Sequence, residues 1–184
     1  MAESSSPAFV KVIDVIDAFS DRTGTLFSWM IFPLVAGLTY EVFARYAFSA
    51  PTIWAFDLTY MLYGSHFMLG AGYALLRGAH IRTDLLYEKY SARKKGMVDA
   101  VAYLFFFFPG LLFFLISGTD EAIHAWKIRE LSEQTAWRPP LYPFKTVVPV
   151  AAALLIVQGV SELLKSLYAV RTGRVYKRPE AVQV

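Results

Sequence analysis

The chain has 184 residues, no cysteine, three histidines and 18% charged residues. Without cysteine there is no disulfide, no thiolate metal site and no cysteine nucleophile, and the redox state of the compartment leaves no mark. The histidines, His66, His80 and His124, fall at three different depths along the apolar pattern, so they cannot ligate two haems in a bundle and form no convincing zinc set. A single haem on His66 with an unusual partner stays open beside the simpler reading of a hydrogen-bonded interior histidine. No stretch between the apolar runs is long enough for a soluble domain of normal size, which removes most enzymatic readings, and no enzymatic activity is expected. No internal repeat is visible, whereas a transporter built from inverted repeats usually shows interrupted segments in corresponding places. The first 25 residues carry Asp14, Asp17 and Asp21 and lack a basic stretch leading into a short apolar one, so no cleavable signal peptide is expected.

What is present is apolar length. The chain is 56% hydrophobic and 16% aromatic, with a mean hydropathy of +0.42. A span needs about 20 mostly apolar residues, because the hydrocarbon core is about 30 Å thick and a helix rises about 1.5 Å per residue. Four stretches qualify: Leu26–Phe48, Thr52–Leu76, 97–119 (most apolar from Ala100 to Thr119) and about Phe144–Tyr168. The expected fold is all-α, a single membrane domain with four transmembrane helices and short interfacial amphipathic helices. Pro33 and Gly37 are candidate kinks in the first span, and Glu121–Glu133, free of glycine and proline, is a candidate extension of the third.

Residues 1–25 are a polar tail followed by Phe9, Val12, Ile13, Ile16 and Phe19 at helical spacing, with Lys11, Asp14 and Asp17 opposite. This predicts a short amphipathic helix on the membrane or a partner, and its acidic face argues against attraction to anionic lipid alone. The connector 77–96 holds a second amphipathic candidate from Thr83 to about Lys95. The connector 120–143 ends in Trp137-Arg138-Pro139-Pro140-Leu141-Tyr142-Pro143, read as a stiff, extended linker with interfacial aromatics. Residues 169–184 form a basic tail. With four spans, the two termini and connector 77–96 share one side, which carries Lys11, Arg22, Arg77, Arg82, Lys89, Arg93, Lys94, Lys95, Lys165, Arg171, Arg174, Lys177 and Arg178. The other side carries Arg45, Lys127, Arg129, Arg138 and Lys145, so the positive-inside rule places both termini in the cytoplasm. The modest net charge of +3 sits mostly in connectors and describes no nucleic-acid surface.

Within the spans, Glu41 and Arg45 share a helix face one turn apart, and Asp57 lies near the start of the second span at a similar depth. Intramembrane charge is a functional-site candidate by default. The competing reading is a structural ion-pair network of Glu41, Arg45 and Asp57 that fixes the first two spans together. Gly64, Gly70, Gly72 and Ala74 make the second span rich in small residues, and the Gly70-x-x-x-Ala74 face suits close packing within the chain or against a partner. Phe105–Phe108 points all round the third span and is read as lipid-exposed. Arg77, His80 and Arg82 bracket a turn at Gly78, after which Thr83 or Asp84 can cap the amphipathic helix.

The order Arg45-Tyr46-x-Phe48, Pro51-x-x-Trp54-x-x-Asp57-Leu58, Leu69-Gly70-Ala71 and Arg77-Gly78-x-His80-Ile81-Arg82-x-Asp84 resembles the small, DctQ-like membrane subunit of TRAP (tripartite ATP-independent periplasmic) transporters. Trp137–Pro143 and Val157-Gln158-Gly159-x-x-Glu162 share the resemblance, which covers about Leu26 to Tyr168. One departure is Phe56, where the family often has a second acidic residue before Asp57. The resemblance implies a bacterial inner-membrane complex for uptake of a small organic acid. In it a large multi-helix subunit carries substrate and sodium, a periplasmic substrate-binding protein delivers substrate, and the small subunit scaffolds the large one and helps dock the binding protein. Trp54, Gly70, Ala74, Arg77, Gly78, His80, Arg82 and Asp84 are then candidate partner or turn contacts. Sodium coupling would lie in the large subunit, with no cofactor or metal in this chain. Two other readings are a haem- or quinone-binding membrane anchor of a respiratory enzyme and a small proton-coupled exporter using Glu41.

Overall fold

The computed structural model describes residues 8–78, 90–174 and 176, with backbone only for residues 8 and 9. The described chain is helical: α1 (Ala8–Ser28), α2 (Ile31–Phe48), α3 (Ala55–Leu76), α4 (Ala92–Ala102), a π-helical turn (Tyr103–Phe107), α5 (Phe108–Ile128), the short α6 (Tyr142–Lys145) and α7 (Val147–Thr172). No strand occurs among the described residues; Leu131 and Pro140 form an isolated antiparallel bridge. Three helical stretches, Val10–Phe48, Ala92–Ile128 and Tyr142–Thr172, are long and apolar enough to cross a membrane. The 22-residue α3 is long enough but less apolar, because Asp57, Ser65, His66 and three tyrosines dilute it.

The breaks follow proline. Pro33 has no N–H to offer the carbonyl of Trp29, and its ring crowds that carbonyl. The helix accordingly breaks at Trp29-Met30, one turn before the proline, with Phe32 N–H bonding to Trp29 O at 3.2 Å. The expected short amphipathic helix at Phe9–Phe19 is thus the front of a longer α1. Pro109 similarly cannot bond to Phe105 O. The chain absorbs this in the π turn, where Phe108 N–H reaches back five residues to Tyr103 O. The stretch expected as the third span begins at Ala92, so residues 92–95, expected in a separate amphipathic segment, belong to the same helical stretch. It ends at Ile128, where Arg129 adopts φ +49° and Glu130 N–H bonds to Ala125 O at 3.0 Å, a closing turn of the Schellman kind.

The chain divides into two compact units: residues 1–23, 71–113 and 153–184 form the first, and 24–70 with 114–152 form the second. The helices α1, α3, α5 and α7 each contribute to both. In each unit polar side chains are buried and many large apolar ones are exposed. The largest fully buried side chains are Ile13, Leu76, Gln158, Glu162 and Ser161 in the first unit and Asp57 and Ser132 in the second. Large apolar side chains such as Phe32, Phe43, Phe67, Phe106, Phe113 and Ile116 are exposed. Outward apolar groups lose nothing in lipid, while polar groups must find partners inside.

Small residues set the close approaches. A Cβ on Gly96 would lie 2.5 Å from Ser166 O, and one on Gly72 would lie 3.7 Å from Leu154 O, both in the first unit. In the second, a Cβ on Gly64 would meet the Phe144 ring at 2.8 Å. Gly159 in the first unit seats the ring of Phe107, so that member of the phenylalanine run packs inward, while Phe105 and Phe106 stay exposed as expected.

Candidate functional site

The first unit is organised by a polar stripe that the sequence reading passed over. Gln158, Ser161, Glu162 and Lys165 recur on one face of α7, all nearly inaccessible. Lys165 Nζ lies 2.7 Å from Asp17 Oδ2 and 2.7 Å from Glu162 Oε1. Ser161 Oγ and Gln158 Nε2 donate to Asp17 Oδ1 at 2.6 and 3.2 Å. Gln158 Oε1 is buried without a hydrogen-bond partner. An ammonium this deep must keep its carboxylates close, because an uncompensated buried charge is very costly.

The same logic reverses the expectation for α1. Its acidic residues are engaged within the unit: Asp14 accepts from the Tyr176 hydroxyl at 2.6 Å, Asp17 holds Lys165, and Asp21 accepts from Arg77 Nη2 at 2.6 Å. Ile13 is fully buried beside them in sequence, while Val12, Val15 and Phe19 are exposed. Burial pushes the Tyr176 hydroxyl above its ordinary value, and the Asp14 and Asp17 carboxylates push it the same way. For Arg77, burial opposes the charge, but Tyr73 and Asp21 raise the guanidinium above its ordinary value. Arg77 also sits 5.0 Å from the centroid of the Tyr73 ring. Gly78 follows at φ +69°, the left-handed conformation glycine adopts without strain. His80, Thr83, Arg82 and Asp84 lie outside the described residues.

In the second unit the expected three-member network of Glu41, Arg45 and Asp57 is two separate sets. Glu41 Oε1 takes Arg45 Nε and Nη2 at 3.0 and 2.5 Å, while Oε2 takes the Thr52 N–H and hydroxyl at 3.0 and 2.5 Å. Thr52 Oγ1 in turn accepts the Ala55 N–H at 3.3 Å, so Glu41 ties α2 to the start of α3. Among the described residues no cation pairs with Asp57. It is 1% exposed in the first turn of α3, where the helix dipole favours a carboxylate, and it accepts from the hydroxyls of Ser132 and Thr135. Those hydroxyls belong to the loop after α5, which turns back on itself through Ser132 N–H to Pro139 O (2.8 Å) and Leu141 N–H to Glu130 O (2.9 Å). The segment read as an extended linker is therefore one arm of a paired loop clamped on Asp57.

Around that loop, Lys145 bridges Glu121 and Glu130 at 2.6 Å each. Trp126 packs on Tyr142 with ring centroids 4.4 Å apart and donates to Thr146 Oγ1 at 2.9 Å. Trp54 stacks on Tyr40 at 5.6 Å. His66 Nδ1 lies 3.1 Å from Phe27 O, the interior hydrogen bond expected of it, and His124 is exposed. Gly70 has open space where a Cβ would point, and Ala74 is partly exposed. Among the described residues no group of three or more acidic, histidine or cysteine side chains could hold a metal ion.

The geometry is that of helices held by internal polar locks, with large apolar side chains turned outward. No curated protein matches the chain. Residues 34–168, nearly three quarters of its length, match the family described as tripartite ATP-independent periplasmic transporters, DctQ component. The chain is a multi-pass membrane protein and belongs to the DctQ family of TRAP transporter components.

Proposed function

We propose that this chain is the small membrane subunit of a sodium-coupled uptake system for a small organic acid. It crosses a bacterial inner membrane four times with both termini in the cytoplasm. It scaffolds a large subunit that carries substrate and sodium, and it helps dock a periplasmic substrate-binding protein. Family membership is the observation that carries the reading. Supporting it, Asp17, Glu162 and Lys165 of the first unit are engaged with one another, as are Asp21 and Arg77. The α3 helix joins the three apolar stretches as a fourth span because its 22 residues cover about 33 Å and its most costly groups, Asp57 and His66, have internal partners. Orientation rests on the Lys and Arg asymmetry. The loop clamped on Asp57, with Trp126, Trp137 and Tyr142 in or beside it, then faces the periplasm as a docking element.

The experiment is reconstitution. Vesicles holding this chain, its large subunit and a sodium gradient, supplied with the binding protein, should accumulate substrate. Omitting this chain should abolish uptake. Full uptake without it, or uptake by this chain alone, would refute the subunit role.

A further inference from the structure

Within the second unit, Leu38 on α2 and Phe56, Tyr60 and Tyr63 on α3 wall a slot of about 350 Å³ whose polar end holds Glu41, Arg45 and Thr52. Phe56, Tyr60 and Tyr63 are all more than half exposed, so the wall is covered by nothing in the chain's described residues. The polar end presents a cation. The Arg45 side chain is 56% exposed and that of Glu41 only 13%. Both oxygens of Glu41 are already satisfied, by Arg45 and by Thr52. Arg45 spends Nε and Nη2 on that pair, which leaves Nη1 free to donate.

We propose that this slot is a glycerophospholipid site, with the phosphate diester on Arg45 and an acyl chain along Phe56, Tyr60 and Tyr63. Two observations favour a lipid. From Ala55 to Tyr63 the helical wall runs about 12 Å, which lies within one leaflet of the hydrocarbon core. The chemistry is also graded as a lipid's is: an accessible guanidinium at one end and aromatic surface at the other. A wholly apolar partner helix would fill the wall and leave the guanidinium edge unpaired. The Glu41–Arg45 pair fixes the guanidinium before the lipid arrives, so little ordering is left for binding. This site goes beyond the subunit role and requires only that the chain sit in a bilayer.

The test is native mass spectrometry on the full chain in detergent, titrated separately with a phosphatidylglycerol, a diacylglycerol of the same chains, and inorganic phosphate. Phospholipid should bind at least about tenfold more tightly than diacylglycerol, the factor expected for a charge-assisted hydrogen bond. Millimolar inorganic phosphate should not displace it. Arg45→Gln should remove most of that preference. Because Arg45→Gln also strands Glu41, the double variant Glu41→Gln/Arg45→Gln provides the same readout without an unpaired carboxylate. Phe56→Ala, which leaves the ion pair intact, should weaken both lipids. Equal binding of diacylglycerol and phospholipid, displacement by inorganic phosphate, or unchanged affinity in both Phe56→Ala and the double variant would each overturn the site. So would a photo-crosslinker at position 63 that captures the large subunit and no lipid in the assembled complex.

Discussion

Replacing Lys165 with methionine keeps the length of the side chain and removes its charge. In the folded chain that ammonium is 3% exposed and sits 2.7 Å from a carboxylate on each of two helices, Asp17 on α1 and Glu162 on α7. Its loss takes the cation from two carboxylates at once, and stripping the partner from a buried ion pair typically costs about 3–5 kcal/mol. Asp17→Asn is a different perturbation at the same place. Lys165 keeps Glu162, and the Ser161 hydroxyl and the Gln158 amide still have an amide oxygen to donate to, so the cost should be nearer 1 kcal/mol. Thermal unfolding in detergent, followed by helical circular dichroism, should therefore separate the two. For a chain of this size 1 kcal/mol corresponds to roughly 2–4 °C, so Lys165→Met should lower Tm by on the order of 10 °C and Asp17→Asn by a few degrees. The triple change Asp17→Asn, Glu162→Gln, Lys165→Met removes all three charges and should recover most of the loss, because no uncompensated charge remains. A Lys165→Met protein that melts with the parent, or a triple variant worse than Lys165→Met, would refute the assignment of this cluster as the lock of the first unit.

Other outcomes follow from the same contacts. Gly96→Ala drives a methyl to 2.5 Å from Ser166 O and should cost about 1–3 kcal/mol, whereas Gly70→Ala meets nothing and should leave Tm unchanged. Asp57→Ala releases the hydroxyls of Ser132 and Thr135, so backbone amides of residues 130–141 should exchange faster with deuterium while those of α7 do not change. Gly78→Val places a β-branched residue at φ +69° and should cost about 1–2 kcal/mol in unfolding experiments. Since the chain has no native cysteine, Ala50→Cys and Ala136→Cys should react with an impermeant reagent in intact cells and Ala92→Cys should not; labelling of position 92 would reverse the orientation.

The helical class and three of the apolar stretches were legible because apolar length decides them. The polar locks were legible only in halves. Asp14, Asp17 and Asp21 stand at helical spacing, as do Gln158, Ser161, Glu162 and Lys165, and each stripe is plain in the sequence. Spacing gives the face of a helix but not what the face meets. An acidic stripe beside exposed-looking valines reads as solvated until a buried cation about 150 residues further on requires it. The deciding clue was Lys165: a lysine ringed by leucines near the end of a span either snorkels or pairs, and a carboxylate stripe on another helix is what pairing needs. Asp57 shows the opposite limit. Its depth matched that of Glu41 and Arg45, so a shared network was the economical reading. The loop that satisfies it lies 75 and 78 residues away and carries hydroxyls, which leave no charge pattern to find. The helix breaks belong to the same lesson. Proline fixed where the backbone had to yield but not the form it took: an interruption at Trp29-Met30, and at Pro109 a π turn that carries Phe107, whose ring lies over Gly159. Where large apolar side chains face outward, specificity has to reside in such inward contacts, since lipid does not discriminate among the leucines and phenylalanines that face it.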